Sequence, residues 1–280
     1  FMLQIAVLRR KNTWQQEDMG IPLKVDQPLL DGFESELPFE LTSAQSRVLS
    51  EILDDLEKVS PMSRLLQGDV GSGKTVVATA AMLVAAFNNY QAAIIAPTEL
   101  LAEQHFMTIT NLLSPVSSLI PDDDVVSIEI KGHSRPITLA LLIGSMSKRR
   151  KREVHKRIAD GEVDIVIGTH AVIQKEVELP YLAVAVVDEQ HRFGVMQRAL
   201  IRSKGKHPHL LAMSATPIPR SLALTFYGEL DISVIDQMPP NRLAVRTRRV
   251  EPDKRSAAYG FIRKEIEEGR QAFVVCPLIE

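Results

Sequence analysis

The chain has 280 residues, 45% hydrophobic and 24% charged, with 33 Lys and Arg against 35 Asp and Glu for a formal charge of −2. This is ordinary globular composition, long enough for one large domain or two small ones, and it excludes disorder, collagen-like repeats and disulfide-stapled scaffolds. A near-neutral balance with a pI near 6.4 also argues against a nucleic-acid partner, because such domains are usually basic.

In chain order, residues 1–11 show a short amphipathic pattern ending in Arg9, Arg10 and Lys11, the expected end of a helix. Residues 12–37 lose periodicity and contain Gly20, Pro22, Pro28 and Gly32, a linker composition that predicts a domain boundary near residue 37. Apolar runs then fall at 64–66, 92–96, 139–143, 163–167, 183–187 and 210–213. Between them lie stretches with helical spacing at 43–58, 74–87, 98–113, 148–160 and 191–203. Strands that are apolar on both faces and separated by helices predict an α/β fold, a mostly parallel sheet with helices on both faces. Pro121 to Asp124 reads as a solvated loop. Asp236 to Asn241 breaks the pattern, and a strand-like run at 243–250, a helix at 253–268 and a strand at 272–276 begin a second α/β unit. The predicted organisation is therefore 1–36, 37–240 and 241–280.

The single cysteine, Cys276, leaves no intrachain disulfide and suits a reducing compartment, the cytoplasm. The weakly polar stretch 75–87 is shorter than the ~20 residues of a membrane span, and no signal-peptide pattern opens the chain. With Phe1 first and a strand-like run just before Glu280, both ends are expected to be cuts through a longer protein.

Gly68-Asp69-Val70-Gly71-Ser72-Gly73-Lys74-Thr75 matches the P-loop pattern in full and lies between an apolar run and a helical one, the context the motif requires. Its glycines permit a tight cradle of N–H groups at a helix N-terminus, where phosphate oxygens are attracted by the helix dipole. Lys74 would reach the terminal phosphates and Thr75 would place its hydroxyl on Mg²⁺. The apolar run 183–187 ends in Asp188 and Glu189. Such a strand delivers its acids to the same rim as the P-loop, Asp188 to hold Mg²⁺ and Glu189 to polarise an attacking water. The pair predicts a site of nucleoside triphosphate hydrolysis.

Asp188-Glu189-Gln190-His191 resembles motif II of superfamily 2 helicases, and Met213-Ser214-Ala215-Thr216-Pro217 resembles their motif III. The resemblance narrows to the RecG family of branched-DNA translocases through 188–195, 214–220 and 65–70, and it covers 37–250. It implies a RecA-like P-loop motor domain, with ATP and Mg²⁺ as cofactors. It places the Q motif on residues 41–45, with Gln45 reading the adenine edge and Phe39 nearby. It assigns Ser214, Thr216, Gln190 and His191 to coupling between nucleotide state and domain movement, although short hydroxyls at a strand end serve equally as helix caps. It also puts DNA contacts at 96–101 (Thr98), 144–145 (Ser145) and 168–170 (Thr169, His170), junctions where backbone N–H groups hold phosphates without reading bases.

Residues 148–157 hold seven Lys or Arg and one Glu, while the rest of the chain has 26 basic and 34 acidic residues. The neutral total therefore averages a concentrated positive segment over an acidic remainder. Arg149, Arg150 and Arg152 either form a solvated helix face or contact a nucleic-acid backbone.

The resemblance implies a monomeric ATP-dependent helicase or translocase of replication forks and Holliday junctions, bacterial and nucleoid-associated, with no membrane partner. Its wedge would precede this chain and its motif VI arginines would follow residue 280, so the segment alone is expected to hydrolyse ATP very slowly. Three rivals stay open. They are the related transcription-repair coupling factor, a P-loop phosphotransferase whose Asp188 and Glu189 only hold metal, and a module that binds nucleotide without turnover.

Overall fold

The computed structural model describes residues 19–114, 124–189, 201, 204–216, 230–239 and 247–276. The chain divides into two compact units, 1–240 and 241–280. In the first, α1 (Gln27–Glu36) and α2 (Ser43–Leu56) precede β1 (Ser63–Gly68), α3 (Lys74–Phe87), β2 (Gln91–Ile95) and α4 (Glu99–Leu113). There follow β3 (Val125–Ile128), β4 (Ile137–Leu142), α5 (Lys148–Ala159), β5 (Ile165–Gly168), a 3-10 turn (His170–Ile173), β6 (Leu182–Val187), β7 (His209–Ser214) and β8 (Asp231–Ile235).

The strands form one sheet in the order β3-β4-β5-β2-β6-β7-β1-β8, parallel throughout except for the antiparallel pair β3 and β4. Side chains alternate across each strand. Ile94, Leu139, Leu141, Ile165, Ile167, Val184, Val186 and Leu211 enter one core layer with α1 to α4. Ile95, Ala140, Leu142, Val166, Ala185, Val187 and Leu210 enter the other with Val154 and Ile158 of α5. Both layers are buried and apolar, which is why these strands read as continuous apolar runs. Helix α3 is enclosed from Val76 to Ala86, and truncating a fully buried residue such as Leu83 to alanine would cost about 2–5 kcal/mol. The expected α/β architecture, with helices on both faces of a mostly parallel sheet, is the one observed.

The composition of 12–37 misled in part. Its described portion contains α1, which Asp26 caps by accepting the Leu29 N–H, and Pro28 occupies the first turn, where no amide partner is lost. Leu23, Leu30 and Phe33 join the main core, so a segment that reads as a linker packs within the first unit. Strands β3 and β8 were also missed. They lie at the two sheet edges and each is partly exposed, so neither shows a continuous apolar run. The expected helix at 1–11 lies outside the described residues, as does that at 191–203 apart from Ile201.

In the second unit a 3-10 turn (Pro252–Lys254) leads into α6 (Arg255–Glu267). The expected strands do not form among the described residues there, since 247–250 and 271–276 carry no ladder pairing. Strand geometry needs a neighbour for its backbone groups, and Phe273 and Val275 are left exposed.

Two polar side chains, one part-buried and one buried, fasten the first unit. Arg64 on β1 donates to Asp55 Oδ2 at 2.7 and 2.9 Å, to Glu51 Oε2 at 3.2 Å and to Ser233 Oγ on β8 at 2.6 Å. Burial alone would raise the Asp55 pKa, but hydrogen bonds from Lys58 and Arg64 bring it below its ordinary value. His209 is fully enclosed; its Nδ1 accepts the Met62 N–H at 3.0 Å and its Nε2 donates to the Ile21 carbonyl at 2.8 Å. It thereby pins segment 19–23 to the sheet.

Burial lowers the His209 pKa, opposed only in part by the Ile21 carbonyl and Asp55. The unfolded chain therefore takes up a proton near the ordinary value of 6.5 that the folded chain refuses, so stability is full above that pH and is lost as pH falls below it. His133 and His155 are shifted the same way by burial. The thermal midpoint is expected to drop between roughly pH 7 and pH 5, and to drop less in His209→Gln, whose amide can make both bonds without titrating.

Candidate functional site

The P-loop joins β1 to α3. Gly71 and Gly73 adopt left-handed backbone, with φ of +78° and +87°. A Cβ on Gly73 would lie 2.0 Å from Gln45 Nε2, so no other residue fits there. Gly73 is the N-cap of α3 and offers no side-chain acceptor, which leaves the first-turn amides of the helix for a phosphate. Lys74 Nζ donates to the carbonyls of Gly68 at 2.8 Å and Asp69 at 3.0 Å, keeping the ammonium inside the loop. Burial depresses its pKa, and Asp188, Glu189 and Asp69 partly restore it. A poorly hydrated ammonium beneath free amides favours an anionic ligand. Ser72 Oγ is buried with no hydrogen-bond partner among the described residues.

Gln45 is almost fully buried and sits at the third position of α2. Its Oε1 accepts the Thr42 N–H at 2.7 Å while Thr42 Oγ1 accepts the Gln45 N–H at 3.2 Å, a reciprocal capping box. Its Nε2 donates to the Ser72 carbonyl at 2.8 Å. The amide expected to read adenine is thus engaged in joining the head of α2 to the P-loop.

Strand order brings the remaining nucleotide candidates together. Gln67 on β1 is level with Ser214 on β7, and Ala212 on β7 is level with Val187 on β6, so Gly68, Ser214 and Asp188 stand at the ends of three adjacent parallel strands. Ser214 Oγ and Thr216 Oγ1 are 3.0 Å apart, and the Thr216 N–H donates to Ser214 Oγ at 3.3 Å. Asp188 is buried; its Oδ1 accepts the Glu189 N–H at 2.9 Å. Glu189 holds φ at +51°, left-handed for an ordinary residue, a strain of about 1–3 kcal/mol that the surroundings must offset. The hydroxyl of Thr75 and the carboxylate of Asp188 are hard oxygen donors of the kind Mg²⁺ takes, with phosphate oxygens and water completing its shell. Gln190 and His191 lie outside the described residues.

The nucleic-acid candidates occupy the next three strand ends. Ile95 on β2 is level with Val187 on one side and with Gly168 on β5 on the other, and Gly168 is level with Leu142 on β4. Thr98, Thr169 and Ser145 follow those strands in turn. Thr98 caps α4 by accepting the Leu101 N–H at 3.3 Å. The Ser145 N–H donates to Glu99 Oε1 at 3.0 Å. Thr169 precedes the 3-10 turn that begins at His170. Helix α5 buries only Val154 and Ile158 and exposes Arg149, Arg150 and Arg152, with Arg150 paired to Asp124 at 2.9 Å.

A family model described as DEAD/DEAH box helicase matches residues 42–225. The chain belongs to the DEAD/DEAH box helicase family. Over its whole length this helicase chain is 43% identical to the ATP-dependent DNA helicase RecG of Synechocystis sp., covering 31% of that protein, and 45% identical to that of Bacillus subtilis, covering 38%. The solved structure of RecG bound to a three-way DNA junction matches all of the chain at 41% identity with a TM-score of 0.80, over 35% of that chain. The helicase chain therefore spans about a third of the length of the curated relatives it matches.

Sequence reasoning missed His105. Its Nε2 lies 2.7 Å from Asp188 Oδ2, a contact between residues 83 apart that no local pattern announces. It missed Gln237 likewise, whose Oε1 accepts from Ser43 Oγ at 2.9 Å and from the Ala44 N–H at 3.2 Å at the head of α2. Among the described residues no helix is long and apolar enough to cross a membrane.

The role of Gln45 can be separated from adenine recognition in this helicase chain without nucleotide. Gln45→Ala leaves the Thr42 N–H and the Ser72 carbonyl without their buried partner, at about 1–3 kcal/mol. The expected result is a lower denaturation midpoint in the nucleotide-free protein, where a residue serving only to read adenine would leave it unchanged.

Proposed function

We propose that this chain is the ATP-binding motor half of an ATP-dependent helicase or translocase that remodels branched DNA, including stalled replication forks and Holliday junctions, in repair and recombination. One observation carries the reading. Six adjacent strand ends divide one rim into a nucleotide half, with the P-loop, Ser214 and Asp188, and a neighbouring half, with Thr98, Thr169 and Ser145. Its similarity to RecG supports a branched-DNA substrate.

In this reading 1–36 leads in from a preceding domain, 37–240 is the first RecA-like motor domain and 241–280 begins the second. Amides at the head of α3 and the Lys74 ammonium receive the β- and γ-phosphates. Thr75 and Asp188 would hold Mg²⁺, which when bound would supply positive charge to the phosphoryl oxygens. Glu189 orients a water on the terminal phosphorus and takes its proton. Ser214 and Thr216, between the two acids and the P-loop, sense the γ-phosphate together with Gln190 and His191. Across the rim, backbone N–H groups and short hydroxyls at Thr98, Ser145, Thr169 and His170 meet phosphates, a mode of contact indifferent to base sequence. The arginines of α5 extend that surface. The protein works as a monomer in the bacterial cytoplasm.

The deciding measurement is ATP turnover by the full-length protein with forked, linear and single-stranded DNA side by side. Forked DNA should stimulate most, and equal rates with and without DNA would leave a phosphotransferase as the better reading. Lys74→Ala should lower the stimulated rate by about 10²–10³-fold, the usual loss on removing a group that stabilises transition-state charge. Turnover unchanged in Glu189→Gln would favour a module that binds nucleotide as a structural ligand.

Salt dependence tests α5. Each lost phosphate contact should flatten the slope of log affinity against log salt by about 0.9 for duplex DNA. Neutralising Arg149, Arg150 and Arg152 together should therefore reduce it by about 2–3, and an unchanged slope would make that helix face merely solvated.

A further inference from the structure

Helix α4 touches both halves of the rim. At its first residue, Glu99 Oε1 accepts the Ser145 N–H at 3.0 Å. A Cβ on Gly144 would come within 2.6 Å of that oxygen, so the loop after β4 is seated closely on the head of α4. Six residues on, His105 Nε2 meets Asp188 Oδ2 at 2.7 Å, with the two side chains only 11% and 12% exposed. The other carboxylate oxygen accepts the Glu189 N–H. Asp188 is thus oriented at both oxygens, by its own neighbour and by a side chain from another element.

We propose that His105 is a positioning residue that sets the Asp188 carboxylate for Mg²⁺ and ties its orientation to the loop held by Glu99. This rests on the reading of Asp188 as the acid that holds the metal. Each carboxylate oxygen has two lone pairs, so one hydrogen bond to each leaves sites free for a cation. An imidazole can donate while neutral, where Lys or Arg would set a full positive charge beside the metal. Glu99 and His105 are about 9 Å apart along the helix axis, less than two turns of one rigid element. A displacement of the loop after β4 that moves Glu99 therefore moves His105 as well. The sequence alone shows an isolated histidine on an amphipathic helix; the contact exists because β2, which leads into α4, is hydrogen-bonded beside β6, whose end carries Asp188.

The test uses the full-length protein and a fluorescent ADP analogue titrated with Mg²⁺, with and without forked DNA. Outer-shell partners of metal ligands typically change metal affinity by about 10–100-fold when removed. His105→Leu should raise the Mg²⁺ concentration for half-maximal binding by about that factor, while binding in the presence of a chelator stays as in the wild type. His105→Gln, whose amide can still donate, should recover most of the loss. In the wild type, forked DNA should shift the Mg²⁺ midpoint, and in His105→Leu that shift should vanish. An unchanged midpoint in His105→Leu overturns the proposal, as does weakened binding of equal size with and without Mg²⁺. Should His105→Leu fail to fold, His105→Asn, too short to reach Asp188, is read in the same way. If the wild type itself shows no Mg²⁺-dependent binding, the assignment of Asp188 falls, and the proposal with it.

Discussion

The hydrogen-bonded order of the sheet governs everything else in this molecule. Seven strands run the same way among the described residues, and parallel neighbours cannot be joined by tight turns, so each must be followed by a crossover. The C-terminal ends of those strands then fall on one rim. The chain visits that rim in the order 68, 95, 142, 168, 187, 214, but hydrogen bonding sorts the same ends spatially as 142, 168, 95, 187, 214, 68. That sorting places β2 at the boundary between the two halves. Helix α4, which follows β2, is consequently the element able to reach both.

How much of this could be read from the sequence depended on the range of each interaction. The P-loop is a local object whose glycines answer to backbone conformation at Gly71 and Gly73, so its spacing announces it. Asp188 is legible because it is the first polar residue after the buried apolar run of β6. Helix α1 was hidden by Pro28 and Gly32, residues that punctuate most chains but here occupy a first turn and a tolerated interior position. His105 and Gln237 could not be found at all, since their partners are 83 and about 190 residues distant. Gln45 was found for a different reason than the one the structure displays. A capping-box glutamine and an adenine-reading glutamine occupy the same place at the start of a helix, and only its link to Ser72 reveals the strut.

Net charge hides local concentrations because charge is distributed by helix face. Helix α5 concentrates seven basic side chains and buries only two residues. It needs little apolar contact because Ser147 caps its first turn and Lys156 and Arg157 complement its C-terminal dipole. A field of one sign on a single helix is felt at a range of about a Debye length, near 8 Å at physiological salt. The surplus of acid elsewhere in the chain is screened beyond that distance and does not cancel it.

The head of α2 shows how such a sheet can make its loops depend on one another. Three chain segments meet there. Thr42 and Gln45 close the capping box, Gln45 grips the Ser72 carbonyl of the P-loop, and Gln237 accepts from Ser43 and Ala44. Arg47, one turn along, donates to the Val234 carbonyl at 2.8 Å and to Asp236 at 3.3 Å. Segment 234–237, shortly before the 240/241 division, is therefore fastened to the same helix that braces the P-loop. With Gln45 almost fully buried, parting it from Ser72 would leave buried polar groups unmet at about 1–3 kcal/mol. A change in the loop that costs less than this must carry α2 with it, and α2 cannot shift without loading the bonds to Gln237 and Asp236. The P-loop and segment 234–237 are mechanically one assembly at energies below that threshold, although 162 residues of sequence separate Ser72 from Val234.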